Sequence, residues 1–117
     1  MPSNALPPGR RLRRRAEFQR VFDTGRKAHG RYLTIIAAAD GAPHTRLGIV
    51  ASRKLGGAVV RNRAKRLIRE VFRTIEAPAI PLDLVVIPKT ALFEASRSSL
   101  EQDFQGVLRR CGALSKK

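Results

Sequence analysis

A chain of 117 residues with 43% hydrophobic side chains is the size of one domain with a modest core. Lysine and arginine number 24 against 9 aspartates and glutamates, a net charge of +15, and a self-repulsion that large points to a polyanionic partner. The longest apolar runs are only a few residues and resemble neither a spanning helix nor a secretory h-region, so nucleic acid is favoured over a membrane and a soluble, intracellular protein is expected.

Residues 1–15 hold Pro2, Pro7, Pro8 and Gly9, then Arg10, Arg11, Arg13, Arg14 and Arg15, a composition expected to form a flexible basic arm. From Ala16 to Thr24, Phe18, Val21 and Phe22 sit three and four apart and Gly25 follows, which predicts a short amphipathic helix. Tyr32 to Ala39 is a compact apolar stretch closed by the turn composition Asp40-Gly41-Ala42-Pro43. Leu47, Ile49 and Ala51 then alternate with other residues, so the two segments are expected to pair as a hairpin.

Gly56 and Gly57 precede a second helix, placed from about Val59 to Ile75 and ended by Ala77-Pro78-Ala79-Ile80-Pro81. Leu82 to Ile87 predicts a short buried strand bounded by prolines, and the strand-helix-strand order implies a crossover. Leu100, Phe104, Val107, Leu108 and Cys111 fall at helical spacing, with Ser98 and Glu101 three apart as a capping box. Cys111 stands alone, so an internal disulfide is impossible and a buried thiol in a reducing compartment is expected. The expected architecture is an α/β (α+β) two-layer sandwich, a small mixed sheet of three to four strands with three helices on one face. Its domain spans residues 16–112, and residues 113–117 form a flexible basic tail.

In the second helix, Ala64, Leu67, Ile68, Val71, Phe72 and Ile75 share one face at 100° per residue, the pattern of a helix packed on a sheet. Asn62, Arg66, Arg69 and Arg73 gather opposite, with Lys65 on one flank and Arg63 on the other. Between Arg53 and Arg73 there are eight basic residues and one acid, Glu70, although like charges at i, i+4 destabilise a helix. Phosphate suits such a surface, because guanidinium forks match its oxygens and released counterions drive association. A DNA major groove could accept such a helix. Phe18 and Phe22, one turn apart, favour RNA, because unstacked single-stranded bases stack on such rings.

The run from Ser52 through Arg69, with Gly56-Gly57-Ala58-Val59, Arg61-Asn62-Arg63 and Lys65-Arg66 in register, resembles the signature of the protein component of bacterial ribonuclease P. Arg11-Leu12 and Glu17 to Gly25 resemble that family's opening helix, and the order of elements fits to about Arg110. The resemblance implies a left-handed βαβ crossover and a cytoplasmic subunit, one per RNA, docked on a catalytic RNA that removes the 5′ leader of precursor tRNA. It places Arg61, Asn62, Arg63, Lys65, Arg66, Arg69 and Arg73 against the catalytic RNA. Phe18, Phe22, Ser52, Arg53, Lys54 and Lys89 are the leader-binding candidates, with Arg11, Arg13, Arg14 and Arg15 a basic arm. Ile36 stands where some relatives carry an aromatic cleft residue, so leader preference could differ.

Neither a gathered acidic metal site nor a general-acid nuclease pair is visible. His29 and His44 fall in loop-like stretches and Asp40 and Asp83 are isolated in sequence. The implied division of labour has Mg²⁺ held mainly by the RNA and no catalytic or metal-binding residue in this chain. The competing reading is a structural RNA binder such as a ribosomal protein; a DNA-binding architectural protein lacks dimer-forming heptads or a groove-reading arm.

Overall fold

Leu33–Ala38 and Asp83–Pro88 are rich in branched and aliphatic side chains and buried along nearly their whole length, as strands covered on both faces must be. The computed structural model describes residues 11–39, 44–75 and 81–111. In chain order it has α1 (Arg15–Thr24), β1 (Arg26–His29), β2 (Leu33–Ala38), β3 (Arg46–Ile49), α2 (Ala58–Thr74), β4 (Asp83–Pro88) and α3 (Arg97–Arg110). Short 3-10 turns occur at Arg53–Leu55 and Thr90–Glu94. The strands form one mixed sheet in the order β1-β2-β4-β3. β4 pairs antiparallel with β2 and parallel with β3, so α2 is the crossover between two parallel strands.

Side-chain alternation divides the core between the two faces of the sheet. Ile35, Ala37, Leu47, Leu84 and Val86 meet Ala64, Ile68, Val71 and Phe72 of α2 and Leu100, Phe104, Val107 and Leu108 of α3. Ile36, Ala38 and Val85 point the other way and pack with Val21 of α1 and with Leu12. The sheet with α2 and α3 forms the expected sandwich, whereas the expectation that all three helices share one face is corrected: α1 lies across the opposite face. Helical periodicity shows that a helix has an apolar face but not which side of the sheet receives it.

Three further expectations change. The strand at Leu47 and Ile49 does not form a hairpin with the Tyr32–Ala39 segment, because β4 lies between them. The hairpin partner of β2 is β1, with Ala28 opposite Ile35. His29 therefore sits in a strand, its Nδ1 3.0 Å from the Thr34 hydroxyl. The last helix is capped by Ser96, whose Oγ accepts from the Ser99 N–H at 3.0 Å, two residues ahead of the expected Ser98–Glu101 box.

The folded unit also starts earlier than residue 16. Arg11 bridges Leu47 in parallel, Leu12 N–H donates to Leu47 O at 3.0 Å, and Leu12 is buried. Residues 1–10, the 40–43 turn, the breaker at 76–80 and the 113–117 tail lie outside the described residues. Cys111 is buried, and its thiol donates to Ile35 O at 3.4 Å; burial pushes its pKa up. Among the described residues no helix is long and apolar enough to cross a membrane.

Candidate nucleic-acid interface

α1 and the neighbouring sheet edge are joined by a partly buried ionic network. Asp83, at the start of β4 and fully buried, is held by Arg46 of β3 through Nε at 2.8 Å and Nη2 at 2.7 Å, and by Arg20 of α1 at 2.5 Å. Arg46 also reaches Glu17 of α1 at 3.0 Å. The Glu17 carboxylate accepts the backbone N–H groups of Arg13 and Arg14 at 2.8 and 3.0 Å, satisfying donors that a helix start leaves open. These N–H groups, with the Arg46 charge beside them, hold its pKa below the ordinary glutamate value. Four side chains thereby fix α1 and the residues before it against β3 and β4.

Beside that network lies a cavity of about 470 Å³ lined by Arg11, Leu12, Arg13, Phe18, Leu47, Gly48, Ile49, Lys65 and Arg69. The Phe18 ring lies against the Gly48 backbone so closely that a Cβ at position 48 would fall 2.6 Å from Phe18 Cε1. The floor is apolar and the rim carries four cations, two from the segment before α1 and two from α2. Arg11 Nε is buried with no hydrogen-bond partner among the described residues, as is Arg61 Nε at the start of α2.

The cations of α2 do not form a single set. Lys65 and Arg69, grouped by sequence with the catalytic-RNA residues, reach the Phe18 cavity. Asn62, Arg63, Arg66 and Arg73 are exposed, and Arg63 lies over the Phe93 ring at 5.6 Å. Ser52, Arg53 and Lys54 are exposed in and before the first 3-10 turn, and the turn ends at Gly56 with φ 142°, a conformation that favours glycine.

The leader candidates are likewise dispersed. Phe22 is 43% exposed one turn beyond Phe18 and does not line the cavity. Lys89 is turned to the other end of β2, where its ammonium donates to Gly30 O at 2.6 Å. Ile36 is 1% exposed beneath α1, so it presents no surface to a ligand. Arg13, Arg14 and Arg15 are exposed around the start of α1. Sequence reasoning missed Leu12, Leu47, Gly48 and Ile49 as lining, and missed the Arg46–Asp83 pair, whose members are 37 residues apart and carry no local signal.

A family model described as Ribonuclease P matches residues 6–112. The chain belongs to this family. The ribonuclease P protein component of an Exiguobacterium strain is 35% identical over 106 residues, covering 91% of this chain and 93% of the relative. That of Thermotoga maritima is 41% identical over 86 residues, covering 72% and 73%. Among solved structures, the Staphylococcus aureus RNase P protein superposes with a TM-score of 0.78 at 29% identity, covering 91% of this chain and 98% of that one. The Thermotoga maritima RNase P protein gives 0.74 at 34% identity, covering 86% and 96%.

Membership makes the chain the protein subunit of the endoribonuclease ribonuclease P, with a ribonuclease P RNA as its partner. The ribosomal-protein alternative falls away. The family match spans residues 6–112 and does not by itself apportion roles among the basic residues.

Proposed function

We propose that the exposed cationic face of α2 docks on the ribonuclease P RNA while the α1–β3 cavity receives the single-stranded 5′ leader of precursor tRNA. The observation that carries this reading is the cavity itself: an aromatic ring over an apolar floor, rimmed by Arg11, Arg13, Lys65 and Arg69. A nucleotide has the same division, a stacking base on a charged phosphate backbone. The buried Arg11 Nε, which has no hydrogen-bond partner among the described residues, supports an anionic occupant, because a buried donor without an acceptor is costly. Lys65 and Arg69 then neutralise leader phosphates, and Asn62, Arg63, Arg66 and Arg73 serve the catalytic RNA.

Among the described residues no three His, Cys, Asp or Glu side chains gather to hold a metal, and three acids have their oxygens engaged within the fold, whereas Mg²⁺ takes open carboxylates alongside several waters. Asp83 is enclosed by Arg20 and Arg46, Asp103 accepts the Arg31 and Tyr32 N–H groups, and Glu17 is held by Arg46 and two amides. We therefore assign the magnesium of the holoenzyme to the RNA, with one protein per RNA in the cytoplasm. The chain's own contribution is to hold substrate and lower phosphate repulsion.

Reconstitution tests the reading. The protein should stimulate a bacterial ribonuclease P RNA at low magnesium and be inactive without it. Phe18→Ala should weaken substrates with leaders by about 1–3 kcal/mol and leave leaderless tRNA binding unchanged. Equal losses for both RNAs would defeat the leader assignment.

A further inference from the structure

The cavity and its cations sit at the β3 edge of the sheet; a second basic group occupies the other edge. β1 is the outermost strand there, three strand spacings from β3, or about 14 Å. Arg26, Lys27 and His29 of β1 are exposed, as are Arg31 just beyond it and Arg109 and Arg110 at the end of α3. The two elements lie side by side. Asp103 of α3 accepts from Arg31 N–H and Tyr32 N–H at 3.0 and 2.9 Å, and Arg110 Nη2 donates to His29 O at 2.6 Å. Arg26 and Arg110 both act electrostatically on Cys111.

Among the described residues this edge carries five exposed lysines and arginines, Arg26, Lys27, Arg31, Arg109 and Arg110, and the acids named beside it, Asp103 and Asp23, are fewer. Both Asp103 oxygens serve backbone amides, and Asp23, at the end of α1, is hydrogen-bonded to Gln19 at 3.0 Å. Cations on an edge strand discourage strand pairing, and cations in a last helical turn suit the helix dipole. Neither need requires the two sets to be adjacent. The patch also lacks an apolar anchor of the kind a protein partner would bury: among the described residues the exposed large hydrophobics are Phe22 and Val59, and neither belongs to β1 or α3. Charge without an exposed aromatic suits phosphate contacts that position an RNA without reading its bases.

We propose that the β1–α3 edge is a second phosphate-binding surface, engaging the backbone of an RNA segment in the assembled holoenzyme on the edge of the sheet opposite the leader cavity. The inference rests on the ribonuclease P reading above. The phosphates belong either to the ribonuclease P RNA or to precursor tRNA.

The test is a triple variant, Arg26→Gln with Lys27→Gln and Arg109→Gln, which spares Arg110 and its bond to His29 O. Affinity is measured over a series of salt concentrations in two arms: protein with ribonuclease P RNA, and holoenzyme with precursor tRNA. The salt slope should fall by about two units in one arm, at roughly 0.7–0.9 per lost contact, and that arm identifies the source. The melting temperature should be unchanged. Slopes equal to wild type in both arms overturn the proposal. Should the triple variant melt early, Arg109→Gln alone decides: a shallower slope in either arm supports the surface and an unchanged one overturns it. Wild-type protein that fails to bind ribonuclease P RNA would defeat the functional reading, whereas normal wild-type binding with an indifferent variant defeats this surface alone.

Discussion

The ring of Phe18 rests on the backbone of Gly48, leaving no space for a side chain at position 48. The contact places an aromatic face at the bottom of a cation-rimmed cavity, and it depends on glycine in a strand, where glycine is otherwise unfavourable. Gly48→Ala should push Phe18 away from β3. We expect a stability loss of about 1–3 kcal/mol, the usual cost of overpacking, readable as a lower urea midpoint. Affinity for leader-bearing RNA should fall more than affinity for leaderless RNA. A variant that keeps both at wild-type values would show that the ring's seat on Gly48 does not matter.

Asp83 is the buried anchor of the same region, since Arg20 and Arg46 reach it from α1 and β3. Removing the carboxylate leaves Arg46, largely buried, without its charge partner. Asp83→Ala should therefore cost about 3–5 kcal/mol, as breaking a buried ion pair does, measured by chemical denaturation. Asp83→Ala combined with Arg46→Met should recover part of that loss, because the stranded charge goes too.

Glu17 gives the fold an acid limb. Its folded-state pKa is lowered, first by the Arg14 and Arg13 N–H groups and then by Arg46, so ionised Glu17 favours the folded state. That contribution is fully present above the ordinary glutamate value of 4.5 and is lost as pH falls through the lower folded value. Denaturation midpoints of Glu17→Gln should lie below wild type at neutral pH and converge with it in acid. Parallel pH profiles would contradict the coupling.

The parts of this architecture legible in sequence are those whose signal is local. The face of α2 bearing Ala64, Ile68, Val71 and Phe72 follows from spacing alone, as does the β4 strand from a branched run between prolines. β1 was not legible because only Ala28 of its four residues is buried; an edge strand with one covered face shows too little alternation to register. Leu47 and Ile49 announced a strand but not its neighbour, since parallel pairing with β4 is set by the α2 crossover rather than by a turn. At the site, helical spacing puts Arg69 opposite the apolar face and Lys65 on its flank, and that both line one cavity with Phe18 depends on where α1 lies, which spacing within α2 does not encode. Arg46 and Asp83 meet solely through strand pairing, which puts them opposite each other in register.

That division of α2 yields a prediction that helical periodicity would not make. Arg66 and Arg69 are three residues apart on one cationic face, so by helical spacing alone their replacement should have the same effect. In the structure Arg66 is exposed and Arg69 lines the Phe18 cavity. Arg66→Ala should weaken binding to ribonuclease P RNA and lower its salt slope by about one unit, while the ratio of affinities for leader-bearing and leaderless tRNA in the holoenzyme stays constant. Arg69→Ala should shift that ratio toward leaderless tRNA and lower the salt slope for leader-bearing substrate by roughly 0.7, the loss of one single-strand phosphate contact. Fluorescence titrations of the two RNAs with each reconstituted variant measure both quantities. Identical behaviour of the two variants would mean that α2 presents one undivided surface and that its cations do not serve two RNAs.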